Sequence, residues 1–487
     1  MSRLCLVSDV EKTMRTVRML SLGLVILAAG SPAAISQTMP AVDWQKIDPE
    51  ILQHFQSLVR INSADPGGSE KPVAEYVLSV LQKEGIDAKL VASDPNRPNV
   101  VARLKGNGRK RPILIMGHSD TVNIDPKKWT FPPFGADRDS GFIYGRGTID
   151  DKDNLVASLM TIIMLKRMNV PLDRDVIFLS EAGEEGASRL GIQFIADSHF
   201  EDIDAEYCLA EGGNGTRVDG KVQFIAIQTM EKIPRGITLT SAGISGHGSV
   251  PLRSNAIVHL AKAVAALADW KPPIRLNDTT GTYFERLALV WSGRAAQAYR
   301  DILSVDPKKV DGADEYFLDN EPRHASMIRT SISPNIFNGG YRSNVIPSEA
   351  KATLDVRALP DEDAAKFLET VRKVVNDPAV KVEYSGQATR PATPVGGLTS
   401  EAFKAIEAAV KKNYDVPTLP SMGTGATDMA YLRRKGMQCF GIGPALDSED
   451  TAKGFGAHSD QERIIESELY RFVHFSFDIV LDLARSR

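Results

Sequence analysis

The sequence predicts a protein of the α/β class, in which a large domain is interrupted by an inserted, smaller α+β domain. Helix-like and strand-like segments alternate after residue 37, the pattern changes near Pro234, and the alternation returns near Leu398. Such alternation is typical of α/β folds. The chain has 487 residues, of which 43% are hydrophobic, so it is long enough for more than one buried core.

Residues 37–233 are predicted to form the first part of the large domain. Apolar residues at helical spacing predict helices at EILQHFQSLVRI, KPVAEYVLSVLQKEG and DNLVASLMTIIMLKRM, and another helix follows Ser188. Short apolar runs predict strands at NVVARL, PILIMGH, DVIFLS and AEYCLA. Ligands of α/β sheets bind beyond the carboxyl ends of strands, so the residues after these strands are the first candidates for a site.

Residues 234–390 are predicted to form the inserted α+β domain. RGITLTSAG and EAKATLDVRAL alternate like half-exposed strands, VKVEYS is a third strand, and NAIVHLAKAVAAL and DAAKFLETVRKVV are helical. A polar stretch from about 271 to 329 interrupts this domain and is expected to be irregular, an elaboration near the site or an interface. Residues 391–487 complete the large domain and end in the helix SELYRFVHFSFDIVLDLA.

Residues 1–36 are predicted to be a signal peptide, with translation starting at Met14. From there Arg15 and Arg18 precede an apolar stretch that ends at Ala29, and small residues follow at a cleavage position that would start the mature chain at Gln37. The alternative is an uncleaved membrane anchor, but the apolar core is shorter than the roughly 20 residues that a spanning helix needs. We expect an exported protein, periplasmic or secreted, without a stable membrane anchor.

The net charge and the distribution of Lys and Arg indicate which class of binding partner is expected. The formal net charge is -4 and no long run of Lys and Arg occurs, which argues against a nucleic-acid partner and favours a small-molecule or peptide substrate.

Cys208 and Cys439 each lie in an apolar segment and are interpreted as buried free thiols. A disulfide between them stays open, because an oxidising compartment would permit one.

Five short segments place His, Asp or Glu just after an apolar run or in a glycine-rich loop. Taken singly, each has an ordinary structural explanation: a histidine at a strand end is usually hydrogen-bonded, and acids before a helix usually cap it. The segments and their candidate residues are IMGHSDTV with His118 and Asp120, YGRGTIDDKDN with Asp150, Asp151 and Asp153, SEAGEEGAS with Glu184 and Glu185, CLAEGGNG with Glu211, and GFGAHSDQE with His458.

Taken together, these segments predict a metal site, because all are expected at strand ends on one rim of one domain. Imidazole and carboxylate ligands without thiolate suit zinc, cobalt or manganese. Two histidines and three acids exceed the three protein ligands of a typical single catalytic zinc. Two metals about 3.5 to 4 Å apart, sharing one bridging carboxylate, would use all five.

The ordered motifs H-S-D, G-R-G-T-I-D-D-K, E-E-G, A-E-G-G and G-A-H-S-D-Q-E resemble those of the di-zinc metallopeptidase family twenty. That family includes aminoacylases, carnosinases, glutamate carboxypeptidases and desuccinylases. The resemblance covers essentially everything after the signal peptide. It implies a zinc-exopeptidase-like catalytic domain with an inserted ferredoxin-like lid and dimerisation domain, two zinc ions per chain, with cobalt or manganese as substitutes, and a possible homodimer formed through the lid.

The resemblance also implies a role for each motif residue. Asp150 would bridge the metals, His118 and Glu211 would complete one site, and Glu185 and His458 the other. Glu184 would be the general base that acts on the water, and Asp120 would orient the ligand His118. The peptide bond between Asp150 and Asp151 would be cis. Glu211 stands where several members have Asp, which keeps a carboxylate ligand.

Residues of the inserted domain match positions that contact substrate in the family. His247 in ISGHGSVP would polarise the scissile carbonyl, often from the partner subunit, while Asn344 and Arg357 would hold the substrate. Arg357 would face the substrate carboxylate, for which a bidentate guanidinium is well suited; without the resemblance it would be interpreted as a surface ion-pair residue. The loop GTGATD resembles one that lines the substrate pocket.

The leading functional prediction is a metal-dependent hydrolase of the carboxypeptidase or aminoacylase type, which releases an amino acid with a free carboxylate from a small peptide or an N-acyl amino acid. The long insertion resembles that of the larger, exported carboxypeptidase branch, which cleaves Gly-X dipeptides and N-acyl amino acids. A metal-bearing binding protein without activity is the alternative, but it would be expected to lack Glu184. A serine hydrolase is disfavoured because the pattern G-x-S-x-G does not occur.

Overall fold

The structure is a computed structural model that describes residues 41–65, 69–386, 390–391 and 397–486. The predicted signal peptide, residues 1–36, and the predicted mature start at Gln37 lie outside the described residues. Asp43–Ser486 forms one compact unit. Among the described residues, no helix is both long enough and apolar enough to cross a lipid bilayer.

In the described part of the chain, the helices are α1 (Trp44–Val59), α2 (Lys71–Lys83), α3 (Lys152–Arg167), α4 (Ile192–Ser198), α5 (Phe200–Ile203), α6 (Ala256–Asp269), α7 (Asp278–Val290), α8 (Gly293–Asp301), α9 (Pro307–Asn320), α10 (Pro322–Met327), α11 (Ala364–Val375), α12 (Glu401–Asn413), α13 (Met429–Arg434) and α14 (Glu466–Ala484). The strands are β1 (Ala64–Asp65), β2 (Asp87–Val91), β3 (Asn99–Leu104), β4 (Ile113–His118), β5 (Thr121–Val122), β6 (Asp137–Asp139), β7 (Phe142–Tyr144), β8 (Val176–Glu181), β9 (Tyr207–Ala210), β10 (Asn214–Val218), β11 (Lys221–Glu231), β12 (Ile233–Pro234), β13 (Ile237–Ala242), β14 (Gly246–His247), β15 (Ser331–Gly339), β16 (Val345–Ile346), β17 (Glu349–Ala358), β18 (Val380–Tyr384), β19 (Thr418–Gly423), β20 (Gln438–Gly441), β21 (Ala445–Asp447) and β22 (Arg463–Ile465).

One large mixed sheet organises the α/β part of the molecule. Its strand order is β2-β3-β8-β4-β9-β20-β11-β10-β21, and β19 pairs with β11. At the centre β4 runs parallel to β8 and β9, and β20 runs parallel to β9. The carboxyl ends of these four strands therefore meet at one edge of the sheet, and the predicted α/β class is confirmed.

Helix α3 packs closely on β4, and a glycine permits this approach. A Cβ atom at Gly117 would lie 2.6 Å from the backbone nitrogen of Leu155, so no larger residue fits there without movement of the helix. Nearly every residue of α3 is buried, because α1, α14 and the sheet surround it. The start of α3 is thereby held beside His118 at the end of β4.

The inserted domain has the predicted ferredoxin-like topology. Strands β13, β15, β17 and β18 form an antiparallel sheet in the order β15-β17-β13-β18, and the short strand β12 also pairs with β17. Apart from the short strands β14 and β16 and the helices α7 to α10, the chain order is strand, helix, strand, strand, helix, strand. Helices α6 and α11 pack against each other and against this sheet. Edge strand β15 exposes Ile336 and Phe337. The predicted dimerisation through this domain, like the predicted domain boundaries, stays a prediction.

The stretch from 271 to 329 is helical, so the expectation that it would be irregular is wrong. It forms α7, α8, α9 and α10, whose apolar faces enclose an aromatic core with Phe284, Tyr299 and Phe317. This core also contains Phe224 and Leu419 from the large sheet, because α7 packs against β19. The helices were missed because their apolar residues face a core that is completed by strands distant in the sequence, which local spacing does not reveal.

The two cysteines lie side by side in neighbouring strands. Cys208 on β9 is directly opposite Cys439 on β20, both are fully buried, and both are free. The interpretation of these residues as buried free thiols is confirmed. Burial raises the pKa of the Cys208 thiol well above its ordinary value, so this sulfur is held in its neutral form.

The core of the insertion predicts unequal effects for two apolar residues of α7. Phe284 is fully buried, so replacing it with Ala leaves a cavity and is expected to lower the free energy of unfolding by about 3 to 5 kcal/mol. Leu289→Ala is the matched control, because Leu289 is 84% exposed, and its effect should stay within about 0.5 kcal/mol. Urea unfolding measures both, and equal stability of the two variants would contradict this packing.

Candidate active site

The candidate residues gather at the carboxyl edge of the large sheet because three neighbouring parallel strands end there. His118 is the last residue of β4, Glu211 follows β9, and the loop after β8 carries Glu184 and Glu185. Asp150 lies just before α3, which packs on β4. The sheet therefore brings together residues that are far apart in the sequence.

The side chains of this cluster lie within contact distance of one another. Nε2 of His118 is 3.0 Å from Oδ1 of Asp150, while Nε2 of His458 is 3.0 Å from Oδ2 of Asp150 and 3.0 Å from Oε1 of Glu185. Asp150 thus lies between the two histidines. Two groups of three residues each have all their ligand atoms within 4.8 Å of one another. One group is His118, Glu184 and Glu211, and the other is His118, Asp150 and Glu185.

Asp120 fixes the loop that carries the two glutamates. Its Oδ1 accepts hydrogen bonds from the backbone N–H groups of Gly183 at 3.0 Å and Glu184 at 3.1 Å, and its Oδ2 accepts one from Glu185 at 3.0 Å. Gly183 has φ of +77°, where L side chains are disfavoured, and a Cβ there would lie 2.7 Å from the carbonyl oxygen of Ala187. The loop turns so sharply that Glu184 and Glu185 both reach the cluster.

His118 is oriented through its other ring nitrogen. Nδ1 is 3.0 Å from the carbonyl oxygen of Asp120 and 3.4 Å from its Oδ1. Because a carbonyl oxygen only accepts, Nδ1 carries a proton; Nε2, which donates to the Asp150 carboxylate in this structure, is the nitrogen that a metal would bind after displacing its proton. This is the arrangement that a metal-binding imidazole needs.

The helix-capping explanation is wrong for Asp151, Glu184 and Glu185, whereas Asp153 does lie in the first turn of α3. Asp151 occupies the N-cap position of α3, but its side chain makes no capping hydrogen bond and instead accepts from the backbone N–H of His118 at 3.0 Å. The peptide bond between Asp150 and Asp151 is cis, as the resemblance implied. Helix α4 has Gly191 at its N-cap, well after Glu184 and Glu185.

A buried carboxylate holds the loop that carries Asp150. Glu462, from the motif GAHSDQE, accepts hydrogen bonds from the backbone N–H groups of Gly147 at 3.0 Å and Ile149 at 2.8 Å, and from Nη1 of Arg146 at 2.7 Å. Nη2 of the same arginine donates to the carbonyl oxygen of Ser459, next to His458. The two loops that bear these ligands are therefore held together by one ion pair.

The electrostatic field of the cluster favours positive charge. Burial lowers the pKa of the His118 imidazole, but Asp120 and Asp150 outweigh burial and hold this pKa well above its ordinary value. Asp150 and Glu185 raise the pKa of His458 to about 10. Burial, and then the nearby Glu184, raise the pKa of the Glu211 carboxyl. Each shift has the direction expected for acids crowded into a poorly solvated space.

The residues fit a divalent cation. The acids Asp150, Glu184, Glu185 and Glu211 crowd around two imidazoles, so they repel one another unless positive charge is placed between them. Carboxylate oxygen and imidazole nitrogen suit zinc, cobalt and manganese. The cluster is therefore a candidate metal site with more than enough donors for one ion.

The lid residues form a separate group. His247 on β14 pairs with Val345 on β16, and the backbone N–H of Gly248 donates to the carbonyl oxygen of Asn344 at 2.8 Å. Arg357 lies on β17, where its Nε donates to Oδ1 of Asp355 at 2.9 Å. Within the described residues, no hydrogen bond or ion pair joins His247, Asn344 or Arg357 to the acidic cluster.

Sequence reasoning assigned no role to several charged residues that border the cluster. Nη2 of Arg390 donates to Oε1 of Glu184 at 2.8 Å, and Nη1 is 3.1 Å from Oδ1 of Asp428. Glu181, at the end of β8, is buried, and burial raises the pKa of its carboxyl. Asp428 and Glu462 occur in motifs that were noted, so their position could have been inferred; Arg390 lies outside every motif.

A sheet edge that gathers imidazoles and carboxylates in this way, with an inserted ferredoxin-like domain, defines a metallopeptidase or amidohydrolase type of enzyme. The chain belongs to peptidase family M20/M25/M40, whose model matches residues 114–482. The family is metal-dependent. The membership predicted from the motifs is confirmed.

Two curated relatives match most of the chain. A carboxypeptidase S-like 2 protein of Dictyostelium discoideum is 28% identical over 380 residues, which cover 76% of this chain and 71% of the relative. An N-fatty-acyl-amino acid synthase/hydrolase of Xenopus tropicalis is 26% identical over 380 residues, which cover 76% of this chain and 72% of the relative.

Solved structures share the fold. An M20 family metallo-carboxypeptidase of Sulfolobus solfataricus superimposes with a TM-score of 0.65 at 21% identity, covering 89% of this chain and 99% of that one. A dinuclear metal-binding M20 peptidase of Bacillus subtilis gives a TM-score of 0.58 at 14% identity, covering 90% and 99%. These likenesses confirm the fold, including the inserted domain.

The raised pKa values predict that metal affinity rises with pH. With a pKa of about 10, His458 is protonated between pH 6 and 8, so a metal that binds this imidazole must displace a proton. For each proton displaced, the association constant of zinc should increase roughly tenfold for each unit by which the pH rises. Competition with a fluorescent zinc indicator at pH 6, 7 and 8 measures this slope.

The matched variants for this measurement are two histidine substitutions. His458→Ala should weaken zinc binding and flatten its pH slope. His474→Asn should keep the slope of the unmodified protein, since Nε2 of His474 pairs with Asp48, a residue outside the cluster. Zinc affinity that is equal at pH 6 and pH 8 would contradict the displacement of a proton from His458.

Proposed function

We propose that this chain hydrolyses a peptide or N-acyl amide bond and releases an amino acid with a free carboxylate. The observation that carries the proposal is the placement of Glu184 and Glu185, adjacent residues that both reach the ligand atoms of His118. One acid of such a pair can bind metal while the other remains free to move a proton. The names of the two relatives, a carboxypeptidase S-like protein and an enzyme of N-fatty-acyl amino acids, support this substrate class.

The proposed metal ligands are the five residues identified above. They would hold two zinc ions, for which cobalt or manganese could substitute. These ligands are His118, Asp150, Glu185, Glu211 and His458. When bound, such ions supply Lewis-acid chemistry, which activates water and polarises the scissile carbonyl. Asp150 is proposed as the shared ligand, since its two oxygens contact different histidines.

Glu184 is proposed as the general base. Its carboxylate takes a proton from the attacking water and gives the proton to the leaving amine. The three backbone N–H groups that donate to Asp120 fix the backbone of its loop before substrate binds. Asp120 is proposed to position both this loop and His118.

Arg357 is proposed to bind the free carboxylate of the substrate, Asn344 to help hold the substrate, and His247 to polarise the scissile carbonyl. The Arg357 guanidinium is 34% exposed and contacts Asp355 mainly through Nε. Its terminal nitrogens can therefore make a two-point contact with a carboxylate. His247 and Asn344 lie on neighbouring segments of the lid and are both exposed, so they are accessible to a substrate.

The proposal predicts different failures for the two adjacent glutamates. Glu184→Gln removes the base but keeps its size, so the metal content should stay at that of the unmodified enzyme while kcat falls roughly 100-fold to 10,000-fold. Glu185→Gln should instead lose metal, and excess zinc should restore part of its activity. Steady-state hydrolysis of a panel of dipeptides and N-acyl amino acids, with elemental analysis of each variant, measures both effects.

A reversal of these two outcomes would exchange the proposed roles of Glu184 and Glu185. Unchanged turnover in both variants would reject the proposed mechanism. A third variant, Glu201→Gln, serves as the control, because Glu201 lies in α5 and takes no part in the cluster; it should retain full activity and metal content.

The proposed carboxylate clamp makes a second prediction. Arg357→Ala should lower kcat/KM by roughly 10-fold to 150-fold, because a charge-assisted hydrogen bond to the substrate is lost. Lys351→Ala removes an exposed charge from the same strand and should change little.

Substrates with an amidated carboxyl group distinguish a clamp from a general effect. The unmodified enzyme should discriminate strongly against the amide, whereas Arg357→Ala should hydrolyse acid and amide at similar rates. Equal discrimination by both enzymes would show that another residue recognises the carboxylate.

A further inference from the structure

We propose that Arg390 is a positioning residue that holds the carboxylate of Glu184 in its working orientation. The inference rests on the proposed role of Glu184 as general base, and it names a residue that no sequence motif marks. Arg390 follows β18, on the segment through which the chain returns from the inserted domain to the large domain.

The contact between the two side chains is close and largely shielded from solvent. Nη2 of Arg390 donates to Oε1 of Glu184 at 2.8 Å. The arginine side chain is 15% exposed and the glutamate side chain 10% exposed. Among the described residues, no hydrogen bond engages Oε2 of Glu184. Arg390 therefore restrains one oxygen of the carboxylate and leaves the other for a proton.

Arg390 is itself held by a second acid. Its Nη1 is 3.1 Å from Oδ1 of Asp428, a side chain that is 1% exposed. The same Oδ1 accepts a hydrogen bond from the hydroxyl of Ser188 at 2.9 Å. Since Ser188 belongs to the loop that carries Glu184, the four side chains and the loop backbone form a closed ring. The guanidinium cannot shift without breaking contacts on both sides.

The charges around Glu184 make such a restraint necessary. Acidic neighbours lie on several sides of it: Glu185, Glu211 and Asp428. In a poorly solvated space, an unrestrained carboxylate moves away from like charges. A guanidinium with two donating edges can contact two carboxylates at once, which the single ammonium of lysine does less well.

The test compares turnover, metal content and chemical rescue in variants of Arg390. Arg390→Ala should lower kcat roughly 10-fold to 100-fold with little change in KM and no loss of metal, because the substrate and ligand contacts remain. Added guanidinium ion should restore part of this kcat, and Arg390→Lys should retain an intermediate value. Arg138→Ala, which breaks the exposed pair with Glu466, is the control and should have unchanged kinetics.

The background of Glu184→Gln separates positioning from a structural role. In that background, Arg390→Ala should lower kcat far less than in the unmodified enzyme, because there is no base left to position. An equal loss of kcat in both backgrounds would overturn the inference. A higher kcat of Arg390→Ala than of the unmodified enzyme, or a change in its KM alone, would also overturn it. If Arg390→Ala unfolds below the assay temperature, Arg390→Gln is assayed in its place under the same criteria.

Failure of the inference differs from failure of the proposed function. If Glu184→Gln keeps full turnover, Glu184 is not the general base, and the proposed function fails together with the inference about Arg390. If Glu184→Gln is inactive while Arg390→Ala and Arg390→Gln keep full kcat, the base stands and Arg390 is rejected as its positioning residue.

Discussion

Mutual repulsion among carboxylates is the constraint on which the site depends. Asp120, Asp150, Glu184, Glu185 and Glu211 approach the end of one sheet, where burial makes each negative charge costly. The fold offsets this cost with donors at fixed places. Backbone N–H groups surround Asp120, two imidazoles flank Asp150, and buried arginines support the surrounding loops.

These supports come from distant parts of the chain. Glu462 and Arg146 are 316 residues apart and connect two loops that bear histidine and aspartate ligands. Arg390 and Glu184 are 206 residues apart. Because each pair joins separate segments, the geometry of the cluster depends on the completed fold rather than on any one loop.

Site residues could be predicted from the sequence where a His, Asp or Glu directly follows a predicted strand. His118 and Glu211 could be placed because each follows a short apolar strand, and parallel strands bring their ends together. The helices between 271 and 329 were missed because their apolar residues pack into a core shared with β11 and β19, which local spacing does not reveal. Arg390 could not be predicted, since its partner is set by how the chain returns from the inserted domain.

The hydrogen bonds to Asp120 have a consequence for the motion of the loop after β8. The amides of Gly183, Glu184 and Glu185 lie outside regular helix and strand, yet all three donate to one buried carboxylate. Amide protons held in this way exchange with deuterium only when the loop opens. We therefore expect the amides of this segment to exchange as slowly as those of the sheet, although its backbone has the irregular shape of a surface turn.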